Sequence, residues 1–204
     1  MARDGDSRTT LVVTMARLLR AQGYAATGLA QVLAESGVSN GSLYHHFPGG
    51  LEELAEIALL ESGQAVAAVL SQVLASASCA QAGIATFLEV AARADVDGSG
   101  PGCPIAPTAL EAPIISPRLR AAATHCFENW QGLIAARLRT DGWPEETVME
   151  TASAALALIE GALLLARVSG DPGHLTSAKR ATASLLAAPA AGAAPAAGAA
   201  AASE

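Results

Sequence analysis

The chain is 204 residues long, enough for one medium domain or two small ones with a buried core. Its formal charge of −7 argues against a non-specific polyanion binder, and with 51% apolar but only 3% aromatic residues the core must be built from Ala, Leu, Val and Ile, a composition suited to close-packed helices. No uninterrupted apolar run reaches the roughly 18 to 20 residues of a membrane span and no secretory hydrophobic segment follows Met1 to Asp6, so a cytoplasmic protein without membrane contact is expected.

Residues 1–8 are expected to form a mobile arm, with Arg3 and Arg8 able to reach phosphate. From about Thr9 to Gln22, Leu11, Val12, Met15, Leu18 and Leu19 fall on one helical face, and Gly23 stops the helix. Tyr24 then packs in the corner. Thr27 is a candidate cap for a helix over about Gly28 to Ser36, whose Leu29, Val32 and Leu33 recur at three-and-four spacing. Gly37 suits a left-handed helix end, Val38 a corner plug and Ser39 an N-cap, so another helix starts at Asn40. Pro48 limits it to about two turns. A helix that short must be held by packing; Leu43 and Phe47 supply the buried face. Asn40, Gly41, Ser42, Tyr44, His45 and His46 are left outside. Two short helices joined by a tight Gly-containing turn make a helix-turn-helix, whose second member enters the major groove of DNA.

A long helix follows from Leu51 to about Ser76, with Gly63 as a candidate bend. Further helices are expected over about Gln81 to Ala94, Pro117 to Thr140, Glu145 to Val168 and Leu175 to Ala187. Between the first two of these lie a breaker-rich loop, Asp95 to Gly102, and Cys103 to Ala109, where Pro104 and Pro107 allow at most a turn or a kinked short helix. The end of the chain repeats Ala-Ala-Pro-Ala-Ala-Gly at 187–192 and 193–198 and reads as a disordered tail. The domain reading is an arm (1–8), a helix-turn-helix unit (9–50), a second helical unit (51–187) and the tail (188–204). The fold class is all-α, with about nine helices.

The run from about Thr10 to Leu60 resembles the N-terminal domain of the TetR family of transcriptional repressors. The residues that carry the likeness are Gly23-Tyr24-Ala25-Ala26-Thr27, Leu29 and Leu33, Gly37-Val38-Ser39, and Ser42-Leu43-Tyr44-His45-His46-Phe47. Phe47-Pro48-Gly49-Gly50 with Glu52-Glu53-Leu54, and later Gly102-Cys103-Pro104-Ile105, resemble the LmrA/YxaF-like branch. The resemblance implies a homodimeric regulator, most simply a repressor, that binds a palindromic double-stranded operator and is released by a small hydrophobic or amphipathic effector. It assigns DNA contact to Thr27, Ser39, Asn40, Gly41, Ser42, Tyr44 and His45, and a four-helix dimer interface to the last two helices. Leu156, Gly161, Leu164 and Leu185 are the candidates there, and Leu70, Phe87, Val90, Cys103, Phe127, Trp130, Ile134 and Leu156 are candidates for the effector pocket. It also makes the long helix after the DNA domain the carrier of the signal.

Residues 1–60 hold four arginines (3, 8, 17, 20) against six acids (4, 6, 35, 52, 53, 56), a balance of −2. DNA affinity draws heavily on phosphate contacts, so Glu52, Glu53 and Glu56 must point away from the duplex, and the salt dependence of binding should be shallow. This charge is the support for an alternative, a helical module that binds a protein or ligand with DNA binding weak or lost. An all-α enzyme or ligand carrier is a further alternative, but no Ser-His-Asp order, phosphate-binding glycine loop or paired-carboxylate site stands out, and no enzyme is expected. Neither a cofactor nor a metal is expected: His45 and His46 are adjacent and point about 100° apart on a helix, and Cys79, Cys103 and Cys126 form no Cys-x-x-Cys. His125 and Cys126, near Trp130, line a pocket or simply pack. Cys103 is the one candidate redox or electrophile sensor, and a structural thiol is the alternative.

Overall fold

The computed structural model describes residues 4–93 and 102–187. Arg3, most of the 95–102 loop and the 188–204 tail lie outside the described residues. Within them the chain is all-α, with helices α1 (Asp4–Gln22), α2 (Leu29–Ser36), α3 (Asn40–His46), α4 (Gly50–Ser76), α5 (Ala80–Arg93), α6 (Ala106–Ile115), α7 (Pro117–Thr140), α8 (Glu145–Ser169) and α9 (Gly173–Leu185).

Helix α1 begins five residues before the expected Thr9, so residues 4–8 are helical and Arg8 is not part of an arm. Its guanidinium lies 5.7 Å from the centre of the Phe47 ring and pairs with Glu61 at 3.5 Å. The face of Leu11, Val12, Met15, Leu18 and Leu19 is buried, as its spacing predicts. Gly23 ends the helix at φ +78°, its amide returning to the Leu19 carbonyl at 3.0 Å. A side chain there would be strained by the backbone and would also meet Glu111, whose Oε1 lies 2.5 Å from the position of a Cβ.

Helix α4 runs through the centre, packed against α1, α5 and α7. Gly63 serves close approach: an added Cβ would sit 2.3 Å from Cys126 Sγ of α7. That proximity lets the Trp130 indole N–H donate to the Gly63 carbonyl at 2.9 Å. About three turns further along the helices are tied by Asp141, which accepts from the Ala80 amide at 2.5 Å and from Arg137 Nε at 2.8 Å, while Arg137 Nη1 donates to the Leu74 carbonyl. The start of α5 and the ends of α4 and α7 are thereby joined.

One further expectation needs correction. Helix α6 occupies 106–115 and overlaps Cys103 to Ala109, where at most a turn or a kinked short helix was expected; a proline in the first helical turn loses no hydrogen bond, and Pro107 sits there, with Thr108 and Ala112 buried on one face. Helices α4 and α8 are, by length and composition, apolar enough to cross a membrane, although no unbroken apolar run is long enough. In the fold, α4 packs on α1, α5 and α7 and leaves Val69 exposed. Helix α8 packs on α7 and α9 and leaves Met149, Leu164, Leu165 and Val168 exposed.

Candidate functional site

Helix α3 is held from behind and presented outward. Ser39 Oγ accepts from the Ser42 amide at 3.2 Å and starts the helix. Leu43 and Phe47 are fully buried, which fixes the orientation of a segment too short to be stable alone. Ser39, Asn40, Gly41, Tyr44 and His45 are exposed on the opposite side, and Ser42 is half-buried. The Tyr44 ring lies on Gly50, with Cε1 3.2 Å from where a Cβ would stand, so the ring is braced while 46% of the residue stays exposed. His46 is half-buried, its ring edge-on to His45 and Phe47 at 5.1 and 6.3 Å. The arrangement offers an amide, hydroxyls, an imidazole and a bare backbone at Gly41, groups able to meet base edges and phosphates.

Thr27 does not belong to this surface. It is buried, its hydroxyl donates to the Gly23 carbonyl at 2.6 Å, and the N-cap position of α2 is taken by Gly28 without any side-chain cap. Its reading as a helix cap is corrected: the hydroxyl closes the turn inward on the Gly23 carbonyl.

Four of the six acids among residues 1–60 are engaged within the molecule. Glu52 Oε1 accepts from Ser116 Oγ at 2.6 Å, Glu53 from the Gly49 amide at 2.6 Å, and Glu56 from Arg118 at 2.5 Å. Glu35 pairs with Arg17 between α1 and α2. Two further contacts tie α1 to the C-terminal helices. Glu111 of α6 accepts from the Tyr24 and Ala25 amides, each at 2.9 Å, and Arg167 of α8 donates through Nη2 to the carbonyls of Arg20 and Ala21 at 2.9 and 3.2 Å.

Beside these contacts lies a cavity of about 500 Å³. Of the expected pocket residues, Phe87, Val90, Cys103 and Trp130 line it. Leu70 and Ile134 are instead core residues, 2% and 0% exposed, because the wall on α4 is formed by Ser62, Ala65, Val66 and Val69, around the helix from Leu70. Phe127 stacks edge-on against the far side of Trp130 at 5.3 Å and does not line the cavity, nor does Leu156. Sequence reasoning missed the contribution of α1, whose Val13, Ala16, Arg17 and Arg20 form one wall. Val13 carried a signal: it is an apolar residue off the core face of α1, and it is 62% exposed. Glu160 is lodged between the cavity and Cys103; burial raises its carboxyl to about 7. Cys103 is itself buried, and desolvation with the facing Glu160 pushes its thiol well above the usual range, which keeps it protonated and a poor nucleophile. Cys126 is buried against Gly63, and His125 points away, exposed. Among the described residues no group of three or more His, Cys, Asp or Glu is placed to hold a metal.

On α8, Leu164 is 49% exposed and Gly161 has no atom within 4 Å of a would-be Cβ, while Leu156 and, on α9, Leu185 are half-buried.

Two family models match the chain: that of the bacterial regulatory proteins of the tetR family over residues 11–56, and that of the transcriptional regulator LmrA/YxaF-like C-terminal domain over residues 79–181. The HTH-type transcriptional regulator YxaF of Bacillus subtilis (strain 168) is 36% identical over 172 residues, covering 84% of this chain and 90% of that protein. LmrA of the same organism is 34% identical over 162 residues, 79% of this chain and 86% of that one. Among solved structures, reduced NemR of E. coli superposes with a TM-score of 0.79 at 22% identity, over 90% of this chain and 99% of that chain, a likeness of fold. The outward helix-turn-helix, the helical second unit and these relatives together establish that the chain belongs to the TetR family of transcriptional regulators, in its LmrA/YxaF-like branch.

Proposed function

We propose that the protein is a homodimeric repressor that binds a palindromic operator through α3 and lets go when a small hydrophobic or amphipathic molecule fills the cavity between α1, α4, α5, α7 and α8. The observation that carries this reading is the double use of α1: one face packs behind the helix-turn-helix and another walls the cavity. A ligand there touches the brace of the DNA-reading unit directly. To release DNA it must bind the released arrangement better than the DNA-bound one, and operator DNA must weaken ligand binding by the same factor.

Support for the dimer comes from α8, where Met149, Ser153, Ala157, Gly161 and Leu165 follow one another every four residues along a face that is exposed or half-buried in the single chain. A row of small and apolar residues of this kind suits helix-on-helix contact with a second copy. The alternative reading, a helical module without DNA binding, draws on the charge of −2, and the engagement of Glu35, Glu52, Glu53 and Glu56 inside the molecule weakens it.

The test is fluorescence anisotropy on labelled DNA from around the gene, titrated with apolar compounds. Saturable binding, lost in Tyr44→Ala while sedimentation still reports a dimer, is the expected result. No DNA binding with retained ligand binding would support the module instead; loss of the dimer in Tyr44→Ala would make α3 structural.

A further inference from the structure

The large cavity has a neighbour. A second compartment of about 360 Å³ lies between α6 and α8, and Gly102, Cys103, Glu160 and Leu163 border both. These four residues line both, so the two compartments adjoin as halves of one cleft. Its second half is walled by apolar groups of α6, among them Ala106, Pro107 and Leu110, and by one cation, Arg167.

Arg167 is only half used. Its Nη2 holds the Arg20 and Ala21 carbonyls at the end of α1. Its Nη1 is buried, has no hydrogen-bond partner among the described residues, and points toward Gly102, 3.1 Å from where a Cβ would be. A guanidinium stays charged at all working pH values, and a buried donor without an acceptor is unusual enough to call for a partner. Glu160 does not serve as one, since its hydrogen bond is with the Cys103 thiol.

From this juxtaposition we infer that the cleft takes an elongated anionic amphiphile, with its apolar body in the large cavity and a carboxylate-like head accepting from Arg167 Nη1. The inference rests on the effector cavity proposed above and names the chemistry of its ligand. The head group would engage the same side chain that clamps the last turn of α1, so binding acts on the DNA-reading unit through one residue. Burial favours the neutral form of Glu160, which removes the repulsion a second carboxylate would feel.

Three probes with one tail and different heads test this on the full-length protein: dodecanoate, dodecanol and dodecyltrimethylammonium, each below its micelle concentration, followed by titration calorimetry. Dodecanoate should bind about tenfold tighter than either of the others, the scale of one charge-assisted hydrogen bond. Arg167→Met should erase that preference and leave dodecanol unchanged, and Arg167→Lys should keep part of it. An alcohol or cation that binds wild type as tightly as the acid overturns the head-group assignment and leaves the cavity standing. Failure of all three to bind removes the effector cavity and the inference with it. The wild-type comparison decides even where a variant does not fold.

Discussion

Replacing Glu160 by Gln should make the protein more stable at alkaline pH and leave it unchanged in acid. The carboxyl titrates at about 7 in the folded chain against an ordinary value of 4.5, because it is buried between two compartments, and the Cys103 thiol that donates to it offsets only part of the effect. The other charged groups bordering the compartments are Arg17, Arg20 and Arg167. Below 4.5 the folded and unfolded chains both hold the proton and the full stability is present. Between 4.5 and 7 the unfolded chain releases it while the folded chain retains it, so stability falls as pH rises; above 7 the loss is complete. At about 1.4 kcal/mol for each pH unit, the displacement from 4.5 to about 7 amounts to about 3 kcal/mol. Urea unfolding of wild type and Glu160→Gln at intervals from pH 4 to 8.5 gives a difference curve from which carboxylates and histidines common to both cancel. The expected curve is flat in acid, climbs toward neutrality and levels off near 3 kcal/mol in favour of the variant. Parallel curves across the range would refute the placement of Glu160 as a buried carboxyl.

Gly63→Ala should cost about 1 to 3 kcal/mol through overpacking, because its Cβ would stand 2.3 Å from Cys126 Sγ; adding Cys126→Ala should recover much of this in urea unfolding, and simple additivity would show that the two do not meet. Gly161→Leu should raise the dimer dissociation constant in sedimentation and weaken DNA binding through it, and an unchanged constant would remove that face of α8 from the interface. Outside the buried Arg20, the first 60 residues bring Arg3, Arg8 and Arg17, so the DNA-binding units of a dimer neutralise at most six phosphates. The slope of log binding constant against log salt should therefore be no steeper than about −5, and a distinctly steeper slope in anisotropy titrations would place further cations on the duplex.

Periodicity and caps made most of the fold legible. Pro117 and Thr140 bound α7 as the sequence indicates, and the Gly37-Val38-Ser39 corner predicts the start of α3 at Asn40. Where the reading failed, a local signal had two meanings. Thr27 is a good cap residue, yet its hydroxyl found the Gly23 carbonyl four residues back, a bond that depends on how the α1–α2 turn closes. Pro107 reads as a breaker unless it falls in the first turn of a helix, and only the burial of Thr108 and Ala112 decides that it does. The cavity was half legible for a different reason. Phe87, Val90, Cys103 and Trp130 could be picked as bulky or polarisable groups, but whether Leu70 or Val69 faces the space depends on the rotation of α4, and no pattern within α1 announces that it closes a wall formed by other helices.

The long helix α4 is the obvious carrier of a signal between the two units, but the contacts distribute the coupling more widely. Glu111 of α6 holds two amides just after α1, Arg167 of α8 holds two carbonyls at its last turn, and Ser116 and Arg118 at the start of α7 hold Glu52 and Glu56 on α4. The first two cross the boundary between the units and the last joins α7 to α4 beside it; each has little freedom to stretch before it breaks. A turn of the DNA-reading unit must therefore either break the bonds at the end of α1 or carry α6 and α8 with it. Breaking the Glu111 contact would leave two amides beside Gly23 in need of other partners, whereas moving as a group keeps every bond and displaces the wall of the second compartment. By that second course the C-terminal unit should change shape wherever α1 moves, with α4 as one strut among three.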